Sequence, residues 1–302
     1  MSASDRGHSP GGPRSERGAR GGIGWRLSCE HATGYRYASP VTSSYNEARM
    51  TPLTTDSQAT LDAQLSLTPA TSAFRYWDYW GTLVHAFDLH EPHTELFVRS
   101  RAVVETSRPA APSDTVDWEA LGDEGVRDRF AELLAPGTYT AASPTLRDAA
   151  RDTVGRLDPL DAVEALATLV RAELAYVPGA TGVSTSAAEA WAARQGVCQD
   201  FAHVLLSLLR TVGIPARYVS GYLHPAEDAE IGVASSGASH AWVEAWVGDW
   251  WGVDPTNGRP AGPGHVLVGR GRDYADVAPL RGVFRGGAAE ELAVDVVVTR
   301  LA

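Results

Sequence analysis

From residue 24 to residue 106 apolar and polar positions tend to alternate, and the period is that of strands. WRLSCEHATGYRY (25–37) predicts a first strand, with Ser39-Pro40 as its stop. ATLDAQLSLTP (59–69) puts Leu61, Ala63, Leu65 and Leu67 on one face. RYWDYWGTLVHAFDL (75–89) predicts a hairpin turning near Asp78 to Gly81, and HTELFVRSRAVVET (93–106) another strand. Several short strands with little helical period predict an all-β, sandwich-like or curled-sheet domain.

A Pro/Ala-rich linker at 107–114 ends this pattern, and helical spacing follows. Ser143-Pro144 and Asp158-Pro159 each place a capping residue before a proline at the first helical position. Leu160, Val163, Ala167, Val170 and Leu174 then recur at helical intervals. Ser186 and Glu189 form a capping box that opens a short helix, with Gly196 expected to close it. The next helix starts at Cys198. It is apolar on nearly every side through Val212 and stops at Gly213-Ile214-Pro215, which predicts a central, buried helix. Residues 224–238 are polar and Gly/Ser/Ala-rich, with Glu227, Asp228 and Glu230, and are long enough for a mobile lid. SHAWVEAWV (239–247) alternates strictly: Ala241, Val243, Ala245 and Val247 face one way, and His240, Trp242, Glu244 and Trp246 the other. Gly248-Asp249 is a turn, WWGVD (250–254) the next strand, and ELAVDVVVTRL (291–301) a last β-rich run.

These elements predict an α+β protein with a tail at 1–22, an all-β domain at 23–107 and a second domain at 108–302. In the second domain the cysteine helix packs on an antiparallel sheet. The 302 residues and 44% hydrophobic content suffice for real cores. The tail is Gly/Ser/Pro/Arg-rich without an apolar stretch, so it is expected to be disordered and not a secretory signal. Net charge is −11, and every basic residue is Arg. That charge argues against nucleic acid as the main partner. No apolar run is long enough to span a membrane. Two cysteines, Cys29 and Cys198, fit a reduced, cytoplasmic protein, with Cys29 as a small buried hydrophobe.

Cys198 is different by position. At a helix N-terminus the backbone N–H groups and the dipole both favour a thiolate. Cysteine catalysis also needs an imidazole within reach and a group that orients it. His240 opens one strand and Asp254 ends the next, and the turn between them returns both to the same end. A metal site of Cys198, His240, Asp254 and His203 lacks any short-spaced ligand pair. Asp200 and His203, three apart on the cysteine helix, are open between structural and functional roles. Trp242, Trp246, Trp250 and Trp251 are read as packing.

GVCQDFAH (196–203), SHAWVEAW (239–246) and DPTNG (254–258), in that order, resemble the transglutaminase-like superfamily, a branch of the papain-like cysteine enzymes. HATGYRYASPVTSSYNEARMTP (31–52) and HTELFV (93–98) resemble the N-terminal β region of its bacterial two-domain members, and GRDYADVAP (271–279) their C-terminal segment. The resemblance spans about residues 24–300. It implies Cys198 as nucleophile, His240 as base and Asp254 as orienting acid, with acyl transfer through a thioester. The Cys198 N–H is the first oxyanion donor expected, with Gln195 and Tyr176 as candidates for a second. Arg272, Asp273 and Tyr274 are placed at the cleft by resemblance alone. The triad needs no cofactor, and no calcium loop is recognisable.

Three functions compete. The expected one is an amidase or peptidase acting on peptide or isopeptide amides of a peptide or protein substrate. A crosslinking transglutaminase differs only in the acceptor, an amine in place of water, and needs a site that excludes water. A non-catalytic binding module would keep the fold without an activated thiol. The natural substrate and the oligomeric state are not legible in the chain.

Overall fold

The structure is a computed structural model that describes residues 24–237 and 239–302, so the expected tail at 1–22 lies outside the described residues. The chain opens with β1 (Trp25–Ala48), β2 (Gln58–Thr68), β3 (Phe74–Trp77), β4 (Leu83–Leu89) and β5 (His93–Thr106). Helices α1 (Trp118–Gly122), α2 (Glu124–Arg129), α3 (Ala131–Leu134), α4 (Pro144–Val154) and α5 (Pro159–Glu173) follow. Next come β6 (Ala175–Tyr176), α6 (Ala187–Ala193), β7 (Gln195–Gly196), α7 (Cys198–Thr211), β8 (Ala216–Leu223), β9 (Ala234–Gly237), β10 (His240–Trp246) and β11 (Trp250–Asp254). The chain closes with β12 (Arg259–Pro260), β13 (His265–Gly271), α8 (Tyr274–Val277), β14 (Leu280–Gly286) and β15 (Ala289–Arg300).

One sheet is organised on β1, which does not stop at Ser39-Pro40 as expected. It runs on to Ala48, because Pro40 falls where the register with β5 slips between Arg36 and Val41. A proline at an irregularity removes no ladder hydrogen bond. The two halves of β1 thus take different partners: β5 and β15 pair along the first, β4 and β14 along the second. A similar slip between Thr60 and Asp62 takes Leu61 off the expected apolar face and leaves it exposed. Residues 234–300 were grouped with the second domain by sequence, yet β9, β14 and β15 join this N-terminal sheet. Strand pairing therefore does not divide the chain at residue 107.

The second sheet is antiparallel, in the order β12-β11-β10-β8-β13. Helix α7 packs on it and is buried from Gln199 to Arg210, as its all-round apolar sequence predicts. Ala241, Val243 and Ala245 of β10 join the core beneath α7, while Trp242 points into a separate cluster with Leu53, Val219 and Leu267. Both faces of the strand are therefore covered. Around α7, α4 starts with Ser143 accepting the Leu146 N–H, and α6 starts with the full Ser186–Glu189 box. Asp158 precedes α5 without a side-chain cap. It is Arg194 in a left-handed conformation (φ 57°) that closes α6, not Gly196. Gly196 is needed for a close approach instead: a Cβ there would lie 2.6 Å from the Asp200 side chain.

The two sheets are joined by hydrogen bonds that stand in for a strand partner. Gln58 Nε2–H donates to the Leu267 carbonyl (2.8 Å) while Gln58 Oε1 accepts the Leu267 N–H (2.8 Å). Nearby, Tyr222 O–H and Ser100 O–H both donate to the Met50 carbonyl. The described part of the expected lid, 224–237, is tied down at two places. Within it β9 pairs with β15, and the Ala229 carbonyl accepts from Arg300. Among the described residues no helix is long and apolar enough to cross a membrane.

Candidate active site

The N-terminus of α7 is fixed by its third residue. Asp200 Oδ2 accepts the Val197 N–H (2.8 Å) and the Thr181 hydroxyl (2.6 Å), which ties the helix start to the loop before α6. Gln199 Nε2–H adds a bond to the Val183 carbonyl. Burial raises the Asp200 pKa, and these donors hold it back. Cys198, at the first helical position, is half-buried and unpaired with Cys29. Its thiol donates to the Ser239 carbonyl at 3.7 Å, so the residue before His240 already touches the sulfur.

His240 and Asp254 come together by register. Val243 pairs with Val253, so Asp254 comes level with Trp242, two residues from His240 and on the same face. The contact is a hydrogen bond of 2.8 Å from His240 Nε2–H to Asp254 Oδ2. That leaves Nδ1 for Cys198. Burial alone would lower the His240 pKa, but the hydrogen bonds to Asp254 and Cys198 outweigh it and push the value up to about 10. Burial likewise opposes ionisation of Asp254, yet the hydrogen bonds from His240 and His265 hold its carboxyl well below the usual range. Both directions describe one arrangement: an imidazolium, once it has taken a proton, favoured between a carboxylate and the Cys198 sulfur.

Asp254 is entirely buried and saturated with donors. Oδ1 accepts the Thr256 and Asn257 N–H groups, and Oδ2 accepts Asn257 Nδ2–H (2.7 Å) and His265 Nε2–H (3.1 Å) besides His240. The turn residues of the DPTNG motif thus orient the carboxylate that orients the imidazole. His265 was not legible beforehand: it lies outside the three motifs, and a single histidine after a Pro/Gly-rich turn carries no spacing signal. His240 Nε2, Asp254 Oδ2 and His265 Nε2 lie within 4.8 Å of one another, a donor set of a kind metals also use. Hydrogen bonds already pair these atoms.

The other expected positions divide. The Tyr176 phenol, half exposed on β6, has its pKa raised by burial and then by the nearby Cys198 sulfur. Tyr218 of β8, missed in the sequence, is raised by burial and by the same sulfur. Gln195 lies on β7, paired with Ala175. His203 is buried, stacks on Tyr139 and accepts the Tyr274 N–H, and burial pushes its pKa down to about 3. These contacts tie α7 to Tyr139 and to the start of α8. Arg272, Asp273 and Tyr274 make no hydrogen bond to Cys198, His240 or Asp254. Arg272 bonds Asp276 and, through its carbonyl, Arg210; Asp273 caps α8. Trp242 packs on His240 (6.2 Å between ring centres), and Trp246 and Trp250 pack on Phe130.

This geometry has relatives. The transglutaminase-like superfamily model matches residues 147–255, and the bacterial transglutaminase-like N-terminal region matches residues 27–105. A Mycobacterium leprae protein of uncharacterised activity is 47% identical over 278 residues, covering 92% of this chain and 100% of its own. A Mycobacterium bovis protein, also uncharacterised, is 34% identical over 90% of this chain and 92% of its own length. A crystal structure from Cytophaga hutchinsonii, described as a candidate cysteine protease, superimposes with a TM-score of 0.73 at 26% identity, covering 93% of this chain and 92% of that one. A Pseudomonas aeruginosa protein-glutamine gamma-glutamyltransferase is 38% identical over 85 residues, 26% of this chain and 12% of its own. With both regions matched, and with relatives aligned along nearly their whole length, the chain belongs to the transglutaminase-like superfamily, in its bacterial form with the N-terminal β region.

Proposed function

We propose that the protein is a cysteine-dependent acyl-transfer enzyme that hydrolyses peptide or isopeptide amides, with Cys198 as nucleophile, His240 as general base and acid, and Asp254 as the group that orients His240. The observation that carries this reading is the 2.8 Å hydrogen bond from His240 Nε2–H to a buried, donor-saturated Asp254, which turns Nδ1 to a thiol at a helix N-terminus. The Cys198 proton passes to His240 Nδ1, and the thiolate attacks the amide carbonyl carbon. The resulting oxyanion faces the start of α7, where the Cys198 N–H is the donor of choice, with Tyr176 as the second. As the C–N bond breaks, His240 returns the proton to the leaving nitrogen and the acyl group remains as a thioester. Water, deprotonated by His240, then attacks the thioester, releases a carboxylic acid and restores the thiol.

Amine transfer is the second reading, and the glutamyltransferase relative favours it over the matched segment. It shares every step up to the thioester. Incubation of the full chain with a peptide library, with and without a labelled primary amine, separates the two. Hydrolysis outrunning amine incorporation supports the first reading; the reverse replaces it with the second. The absence of any acyl adduct on Cys198 sinks both.

A further inference from the structure

Asp254 holds two imidazoles on one oxygen. His240 reaches Oδ2 at 2.8 Å and His265 reaches it at 3.1 Å. Strand register does not bring His265 there, because β10 and β8 lie between its strand and that of Asp254. The turn at 261–264 does so. The Ala261 N–H bonds the Gly252 carbonyl, the His265 N–H bonds the Gly262 carbonyl, and the Gly262 N–H donates to His265 Nδ1 at 3.0 Å. That last bond fixes the tautomer: Nδ1 accepts, so the ring hydrogen is on Nε2 and points at Asp254.

We propose that His265 is a positioning residue for this site, a neutral imidazole that anchors Oδ2 of Asp254 toward His240 without bringing a second positive charge beside it. A lysine or arginine in its place would also donate to Asp254. It would neutralise the carboxylate, however, and weaken its hold on a His240 imidazolium. A neutral donor orients the carboxylate and leaves its charge for His240. Three observations agree with neutrality. His265 is buried, Nδ1 already accepts a backbone N–H, and burial lowers its pKa, with His240 and Arg259 adding in the same direction against Asp254. Trp242 completes the arrangement. Its ring meets His265 edge-on at 5.2 Å and stacks near His240 at 6.2 Å, so both imidazoles pack on one indole.

The inference rests on the assignment of Cys198, His240 and Asp254, and its test separates the two. The rate of Cys198 alkylation by iodoacetamide is followed against pH in the full chain, together with steady-state amide hydrolysis and thermal unfolding. His265→Asn keeps an acceptor for the Gly262 N–H but is too short to reach Asp254. His265→Gln keeps an N–H long enough to reach it, and His265→Leu removes both. In the Asn and Leu variants alkylation at neutral pH falls, and its pH profile moves upward. Their kcat falls about 10–100-fold, the cost of a misoriented catalytic group, with KM within about twofold of wild type. The Gln variant recovers most of both losses, whatever the ranking of thermal midpoints. If the Asn variant folds with a wild-type alkylation profile and kcat, or if all three lose activity only in step with their thermal midpoints, His265 is structural and the proposal is overturned. If instead wild-type Cys198 reacts no faster than Cys198 in His240→Ala, the triad assignment itself fails.

Discussion

The N-terminal sheet and the second sheet with its helix α7 each hold a cysteine and a histidine, and the two pairs behave in opposite ways. In β1, Cys29 and His31 point into the N-terminal sheet's packing. Burial pushes the Cys29 thiol up to about 12 and the His31 imidazole down to about 4, so both are held neutral. At the second sheet, His240 is nearly as enclosed, yet it is pushed up to about 10. Burial is common to both places; the difference is the partner. His31 has only a Tyr222 hydroxyl at 3.2 Å, whereas His240 has a carboxylate and a thiol. Residue type does not set the direction of the shift; an ionised neighbour that is itself saturated with donors does.

The largest expected effect breaks this contrast outright. Treated with iodoacetamide in the native state, the chain is labelled at Cys198 and not at Cys29, read by peptide mass mapping. On the proposed mechanism, Cys198→Ala lowers kcat by on the order of 10⁴ or more, while Cys29→Ala leaves kcat unchanged. Labelling of both thiols at similar rates would remove the contrast. Next in size is Asp254→Asn, which keeps the shape of the site but removes the charge. If Asp254 orients His240 as proposed, the substitution lowers kcat by roughly 10³–10⁴, with a smaller change in KM.

The placement of this candidate site's residues was legible because they sit in short motifs. Cys198 had to open a helix, and His240 and Asp254 had to lie on consecutive strands joined at Gly248-Asp249, so local pattern sufficed to bring them to one end. What was not legible depends on non-local pairing. Nothing in WRLSCEHATGYRY shows that its strand continues through Pro40, since that depends on where β5 slips register. The polar composition of 224–238 hid β9, whose only reason to be a strand is the edge offered by β15, some sixty residues downstream. His265 was missed for the same reason: it reaches Asp254 around the end of a sheet, and no periodicity encodes such a turn.

The two sheets also differ in how pH acts on their stability. His31 has a folded pKa of about 4, below its ordinary value near 6.5, so its contribution is present above about pH 6.5 and is lost as pH falls toward 4. His203, pushed down to about 3, acts in the same direction. His240 has the reverse sign. With a folded pKa of about 10, its contribution is complete below about pH 6.5 and is lost as pH rises through 10. Thermal midpoints measured across pH should therefore fall on both sides of a maximum near about pH 6.5. Asp254→Asn should flatten the alkaline side, and His31→Phe should reduce the acid side. An alkaline fall that survives Asp254→Asn unchanged would take the ion-pair character away from His240.

The smallest expected effect concerns the joint that holds the two sheets to one another. Gln58 is buried, and its amide satisfies both the N–H and the carbonyl of Leu267 as well as the Leu53 carbonyl. Gln58→Leu keeps the volume but leaves the Leu267 N–H without a partner, at a cost of about 2 kcal/mol for a buried group of this kind, while the Leu267 carbonyl keeps the Leu53 N–H and the Leu53 carbonyl keeps the Thr60 hydroxyl. The variant should therefore unfold at lower denaturant with an unchanged m-value. Its kcat should stay near wild type, because Leu267 lies two residues beyond His265 and the Gly262–His265 bond that fixes the imidazole lies on the other side. A fall in kcat larger than the loss of stability accounts for would mean that the N-terminal sheet sets the geometry of His265. The reactive region would then depend on the inert one for its alignment as well as for its cover.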